Sequence, residues 1–161
     1  MTQDWQAAYF RQARSDYQTF QLLEASGASF CQQLHYLQMT AEKLAKGFAA
    51  SPGGPQQPKV HRGYTNFLQQ IKRRPELHML LPGGPKQINK YIDNLLPYAH
   101  LIENLAPANA NDGPNAEYPW QTPAGVIAPV DYAFTNLAFN ARGMLNMLKF
   151  LKRCFQIIKE E

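Results

Sequence analysis

In SFCQQLHYLQMTAEKLAKGF, residues 29–48, the apolar side chains Phe30, Leu34, Leu37, Ala41, Leu44 and Phe48 recur at intervals of four, three, four, three and four. Residues three and four apart share a face of an α-helix, so this spacing predicts one amphipathic helix. Gly27 is suited to end a preceding helix, and Ser29 with Gln32 has capping-box spacing. Upstream, Trp5, Ala8, Ala13, Tyr17, Phe20 and Leu23 mark a looser apolar face on a first helix. The link between the two is short, which predicts an antiparallel hairpin.

Downstream, SPGGPQQP (51–58) cannot continue a helix, because its three prolines lack backbone donors and its two glycines favour turns. Tyr64, Phe67, Leu68 and Ile71 then mark a short helix. It should stop by Arg74, since Pro75 disfavours helical dihedrals in the residue before it. After PGGP (82–85), Ile88, Tyr91, Ile92, Leu95, Ala99, Ile102 and Leu105 form another stripe, with Pro97 an expected kink. Residues 107–129 read as a long loop with five prolines, functional or mobile in character. In the last helix Phe134, Ala141, Leu148 and Phe155 repeat every seven residues, as do Leu137, Met144, Leu151 and Ile158. This seam fits helix packing, either inside a bundle or across a dimer or partner interface carried by Phe134, Leu137, Met144, Leu148, Leu151 and Phe155. No strand alternation is evident. The expected fold is all-α: a single domain, 1–161, forming an up-and-down bundle of about five helices.

Composition bounds the function. The 161 residues suffice for one core without metal or disulfide staples. No apolar run reaches the ~18 residues of a membrane span, and MTQDWQAAYF lacks the basic head and apolar stretch of a signal peptide. Cys31 and Cys154 are far apart in sequence and form no ligand pair, so a reduced, cytoplasmic chain is expected. The net charge of +4 is unevenly placed. Residues 57–100 carry Lys59, Arg62, Lys72, Arg73, Arg74, Lys86 and Lys90 against Glu76 and Asp93, a surplus of five. Residues 1–56 balance at zero and residues 101–161 sum to −1. Such a surplus suits a phosphate-bearing or acidic partner for the middle segment, and equally a solvated helix face with a loop.

QMTAEKLAKG (38–47), PKVH (58–61), EYPW (117–120) and DYAFTNLAFNARGML (131–145) occur in that order. Together they resemble the HEPN family, the helical domains of higher eukaryote and prokaryote nucleotide-binding proteins. Gln38, Ala41, Glu42, Lys43 and Lys46 match the family's second-helix pattern, His61 its following lysine–histidine loop, and Tyr118 with Pro119 its Tyr-Pro segment. The resemblance runs from about Trp5 to Phe155. It implies a helical bundle, usually a homodimer, that binds nucleotides or RNA. It also implies, for some members, a toxin paired with a nucleotidyltransferase-fold antitoxin. Active members are metal-independent ribonucleases built on Arg, four to six residues, then His.

RRPELH (73–78) supplies that pair as Arg73 and His78. Histidine titrates near neutrality and suits a general base, while the arginine fork suits a charged phosphorane. In active members, however, the motif lies at or just before the last helix. Here residues 115–135 offer Glu117 and Asp131 and no arginine or histidine, and His35, His61, His78 and His100 all come earlier. Pro75 also interrupts the motif. The resemblance with this departure implies a non-catalytic domain binding nucleotide or RNA through Lys59, His61, Arg62, Lys72, Arg73, Arg74 and His78. A ribonuclease using Arg73 and His78, or a structural partner of a nucleotidyltransferase-fold protein, are the alternatives. No cofactor and no metal are expected. Glu42, Lys43 and Lys46 read first as intrahelical ion pairs on a solvated face. His35 reads as a core-edge histidine, and Tyr118 and Trp120 as side chains pinning the long loop rather than stacking on a base.

Overall fold

The computed structural model describes residues 4–51, 63–83, 85–107 and 112–158. Among the described residues there are five α-helices: α1 (Trp5–Ser26), α2 (Phe30–Ala49), α3 (Gly63–Ile71), α4 (Pro85–Glu103) and α5 (Arg142–Ile157). The all-α bundle is therefore the fold. One small antiparallel hairpin, β1 (Trp120–Thr122) with β2 (Gly125–Ile127), pairs Trp120 with Ile127.

α1 begins where Asp4 accepts a hydrogen bond from the Ala7 amide, 3.1 Å away, occupying one of the free N-terminal donors. It ends at Gly27, whose φ of 67° is the left-handed conformation that glycine adopts without a Cβ penalty. The chain then reverses. Gln6 near the start of α1 donates to the carbonyls of Gly47 and Ala50 at the end of α2, so the two helices form the expected antiparallel hairpin. The capping box does not form. Ser29 Oγ approaches Cys31 Sγ at 3.5 Å instead, and Gln33 rather than Gln32 reaches back, to the Ala28 carbonyl. Gly47 lets the hairpin close: a Cβ there would stand 2.4 Å from the Phe10 ring.

The apolar stripe of α2 is the centre of the core, with Leu34, Leu37, Ala41 and Leu44 all buried. α3 packs beside it through Phe67, stacked on Phe48 with ring centroids 4.6 Å apart. Glu103 at the end of α4 accepts from the Tyr64 amide and the Thr65 hydroxyl, and so supplies the cap for the first turn of α3. α4 continues through Pro97, which lies on its exposed face. α5 is closed at its far end by Arg14 of α1, which donates to the carbonyls of Phe155 and Ile158 at 3.0 and 2.9 Å.

Of the two placements the seam allowed, inside the bundle or across an interface, the chain uses the first. Phe134, Leu137, Met144, Leu151 and Phe155 are buried, and Leu148 packs partly buried against them. The seven-residue repeat also overstated the helix. Residues 129–141 form two short 3-10 turns and extended links, and Phe134 has φ 43°. Phe134 and Leu137 reach the core from irregular backbone, so their burial imitates a helical row.

The long loop carries the hairpin that sequence alternation did not reveal, because three-residue strands hold too few side chains to show a period. Asn115, 1% exposed, organises its start by accepting from the Glu117 and Tyr118 amides and donating to the Asp112 carbonyl. Trp120 is buried and pins the loop as expected, whereas Tyr118 remains about half exposed. Both cysteines are buried and free.

Candidate functional site

Pro75 does two things to RRPELH. It forces Arg74 into extended backbone (φ −118°, ψ 90°) and it opens a 3-10 turn over Pro75–Leu80. Leu77 and Leu80 anchor that turn in the core. The segment is thus an ordered corner between α3 and α4 and not a flexible loop.

The three consecutive cations on this corner have different fates. Lys72 Nζ lies 2.6 Å from Asp93 Oδ1 on α4. Arg74 Nε lies 2.7 Å from Glu76 Oε1, and its Nη1 reaches the Phe48 carbonyl at 3.5 Å. The hydrogen bond from Arg74 is the main reason that the Glu76 carboxyl is held below its ordinary range. Arg73, between them, is exposed and has no ion-pair partner among the described residues. Two further cations on α4, Lys86 and Lys90, are also exposed and unpaired among the described residues. Lys59, His61 and Arg62 lie outside the described residues.

His78 is placed differently. Its Nε2 is buried and lacks a hydrogen-bond partner, while the neighbouring Arg73 side chain faces solvent. A general base has to come within hydrogen-bond reach of the proton it takes. The motif therefore offers an accessible cation and a ring nitrogen that is covered.

The polar stripe of α2 is satisfied partly across to α1 and partly within the helix itself. Lys43 Nζ crosses to Asp16 of α1 at 2.6 Å, with only 18% and 7% of the two side chains exposed. Gln12 also donates to Asp16. Glu42 pairs with Lys46 one turn on and accepts from Gln38. Burial pushes the Glu42 carboxyl up, but the hydrogen bonds from Lys46 and Gln38 and the charges of Lys46 and Lys43 outweigh it, so the net shift is downward. These groups satisfy one another, as expected of a structural network. The expected intrahelical pair forms between Glu42 and Lys46, whereas Lys43 bonds across to α1. His35 lies at the edge, Nδ1 3.3 Å from Glu117 Oε1. No hydrogen bond joins the two, and the contact sets this edge of α2 against the long loop.

Sequence reasoning missed the cations of α5. Arg142, Lys149, Lys152 and Arg153 stand on a helix with no acidic residue. A charge count over residues 101–161 hid them, because that third of the sequence also contains six acids, none of them between Arg142 and Ile157. A count helix by helix would have found them. Arg153 Nε donates to the Met79 carbonyl at 2.9 Å, joining α5 to the 75–80 turn. Cys154, one residue on, is no nucleophile, since burial pushes its thiol well up.

Among the described residues no group of three His, Cys, Asp or Glu side chains is placed to hold a metal, and no helix is long and apolar enough to cross a membrane. Comparison of the chain with family models, curated proteins and solved structures finds no match. The class that fold and surface define is an all-α bundle with a basic corner between α3 and α4.

Proposed function

We propose that the chain is a non-catalytic nucleotide- or RNA-binding domain whose phosphate contacts centre on the corner formed by Lys72, Arg73 and Arg74. The carrying observation is Arg73, an exposed guanidinium held on an ordered turn with no partner among the described residues. A guanidinium fork of this kind matches the geometry of a phosphate. Lys86 and Lys90 extend the positive field, and Glu76 and Asp93 neutralise only its two flanking cations. The test is a mobility shift at low salt with RNA and with mononucleotides. A shift is expected with at least one of them and should weaken in Arg73→Glu. No shift with either sinks the proposal.

The ribonuclease alternative requires His78 to act as base, and its covered Nε2 supports binding over cleavage. RNA cleavage in EDTA that disappears in His78→Ala would reverse this preference. The reading as a structural partner rests on the α5 seam, which is occupied by the chain's own core. A homodimer, or a complex with a nucleotidyltransferase-fold protein, would have to use another face.

A further inference from the structure

α5 carries its buried residues on one side, with Met144, Met147, Leu151 and Cys154 at 0% exposure. The opposite side shows Arg142, Leu145, Lys149, Lys152, Arg153 and Gln156, every one of them exposed. At 3.6 residues per turn these six fall within an arc of roughly 100°. Arg142, Lys149 and Lys152 have no ion-pair partner among the described residues, and the helix contains no Asp or Glu to offset them. An outward face of this kind more often carries both signs, because alternating charges support the helix and limit self-repulsion. Here like charges stand together, which is unfavourable in the free chain and is relieved by a polyanion.

The row does not stand alone. Arg153 ends it by binding the Met79 carbonyl, so its last turn abuts the segment that begins at Arg73. Arg153 also acts electrostatically on Tyr91 of α4, one residue beyond the exposed Lys90. From Arg142 to Arg153 the helix rises about 16 Å at ~1.5 Å per residue. Charges spread over that length exceed what the clustered phosphates of a mononucleotide can meet, and they suit a chain of phosphates.

We propose that the outward row of α5 is a second phosphate-contact track, and that the ligand is an oligonucleotide backbone running along α5 onto the 72–78 corner. The inference rests on the nucleic-acid reading above and narrows it from nucleotide or RNA to a polymer. The two exposed apolar groups nearby, Leu145 and Met79, are too few to make an insertion surface for lipid.

The experiment compares the binding of a fluorescein-labelled oligouridylate by wild type, Lys149→Glu/Lys152→Glu and Arg73→Glu, as a function of salt. The α5 double variant is expected to bind about tenfold or more weakly at low salt. Its slope of log affinity against log salt should be flatter by about 1.4, at ~0.7 for each single-strand phosphate that the variant no longer neutralises. Lys149→Gln/Lys152→Gln should show the same loss in smaller measure, and it replaces the charge reversal if circular dichroism shows that variant unfolded. Wild-type affinity and slope in both α5 variants, with weakening only in Arg73→Glu, overturn the α5 track and leave the corner intact. Failure of wild type to bind any oligonucleotide or mononucleotide overturns both. Association with phosphatidylserine vesicles and not with the oligouridylate also overturns the track, assigning the row to a lipid surface.

Discussion

Arg153 Nε donates to the carbonyl oxygen of Met79 across 2.9 Å, so the last turn of α5 holds the 3-10 turn that follows Arg73. The hydrogen bond is exposed, and its net contribution to stability should be modest, about 1 kcal/mol. Arg153→Gln is expected to shift the urea midpoint slightly at unchanged m-value. Its oligonucleotide affinity should fall by more than its stability does, because the corner loses a tether and the row a charge. A loss of several kcal/mol of stability would show that this bond is part of the core after all.

Asp16 and Lys43 are nearly buried partners from different helices. Asp16→Leu or Lys43→Met alone strands a charge away from water and should cost about 3 kcal/mol. Asp16→Leu with Lys43→Met removes both charges, and the double variant should lie within about 1 kcal/mol of wild type. A double-mutant cycle in urea measures the coupling. If the single losses simply add, the pair is not acting as a unit.

Gly143 sits in the first turn of α5, where a Cβ would stand 1.8 Å from Cε2 of Tyr98 on α4. Alanine favours a helix over glycine by up to about 1 kcal/mol, but forcing the ring aside costs ~1–3 kcal/mol. Gly143→Ala is therefore expected to lower the thermal midpoint, and Tyr98→Leu in the same chain to recover much of the loss. A midpoint raised by Gly143→Ala alone would mean that Tyr98 moves freely.

Glu42 gives the fold a defined acid response. Its folded carboxyl titrates below the ordinary value, so its stabilising effect is complete above the unfolded pKa of about 4.3 and is lost as pH falls through the lower, folded value. With 38% of the side chain exposed, screening limits this to below about 1 kcal/mol. Urea midpoints taken on either side of about pH 4 should fall on acidification in wild type. In Glu42→Gln that decline should be shallower. Identical declines would place the acid response in other carboxyls, Glu76 among them.

The helices were legible in the sequence where one face is continuously buried, as in α2, whose stripe from Leu34 to Leu44 repeats without interruption. Legibility failed where burial and helicity separate. Phe134 and Leu137 are buried from irregular backbone, and the hairpin at Trp120 is fixed by Asn115 and tertiary packing and not by a strand period. The corner was legible as charge, since Arg73 and its neighbours stand in one run. The division of labour within it was not. Which cation is paired depends on Asp93, twenty-one residues beyond Lys72, and on the turn that brings Glu76 under Arg74. The row on α5 was hidden by counting charge along the chain, whereas a ligand meets charge by surface.

The central claim is that this bundle binds phosphate through its basic corner. The most direct measurement is the affinity for an oligoribonucleotide over a salt series, in wild type and Arg73→Glu. The account predicts tight binding at low salt, a linear decline of log affinity with log salt, and a slope flatter by about 0.7 in Arg73→Glu. Affinity indifferent to salt, or the same steep slope in both proteins, would contradict it.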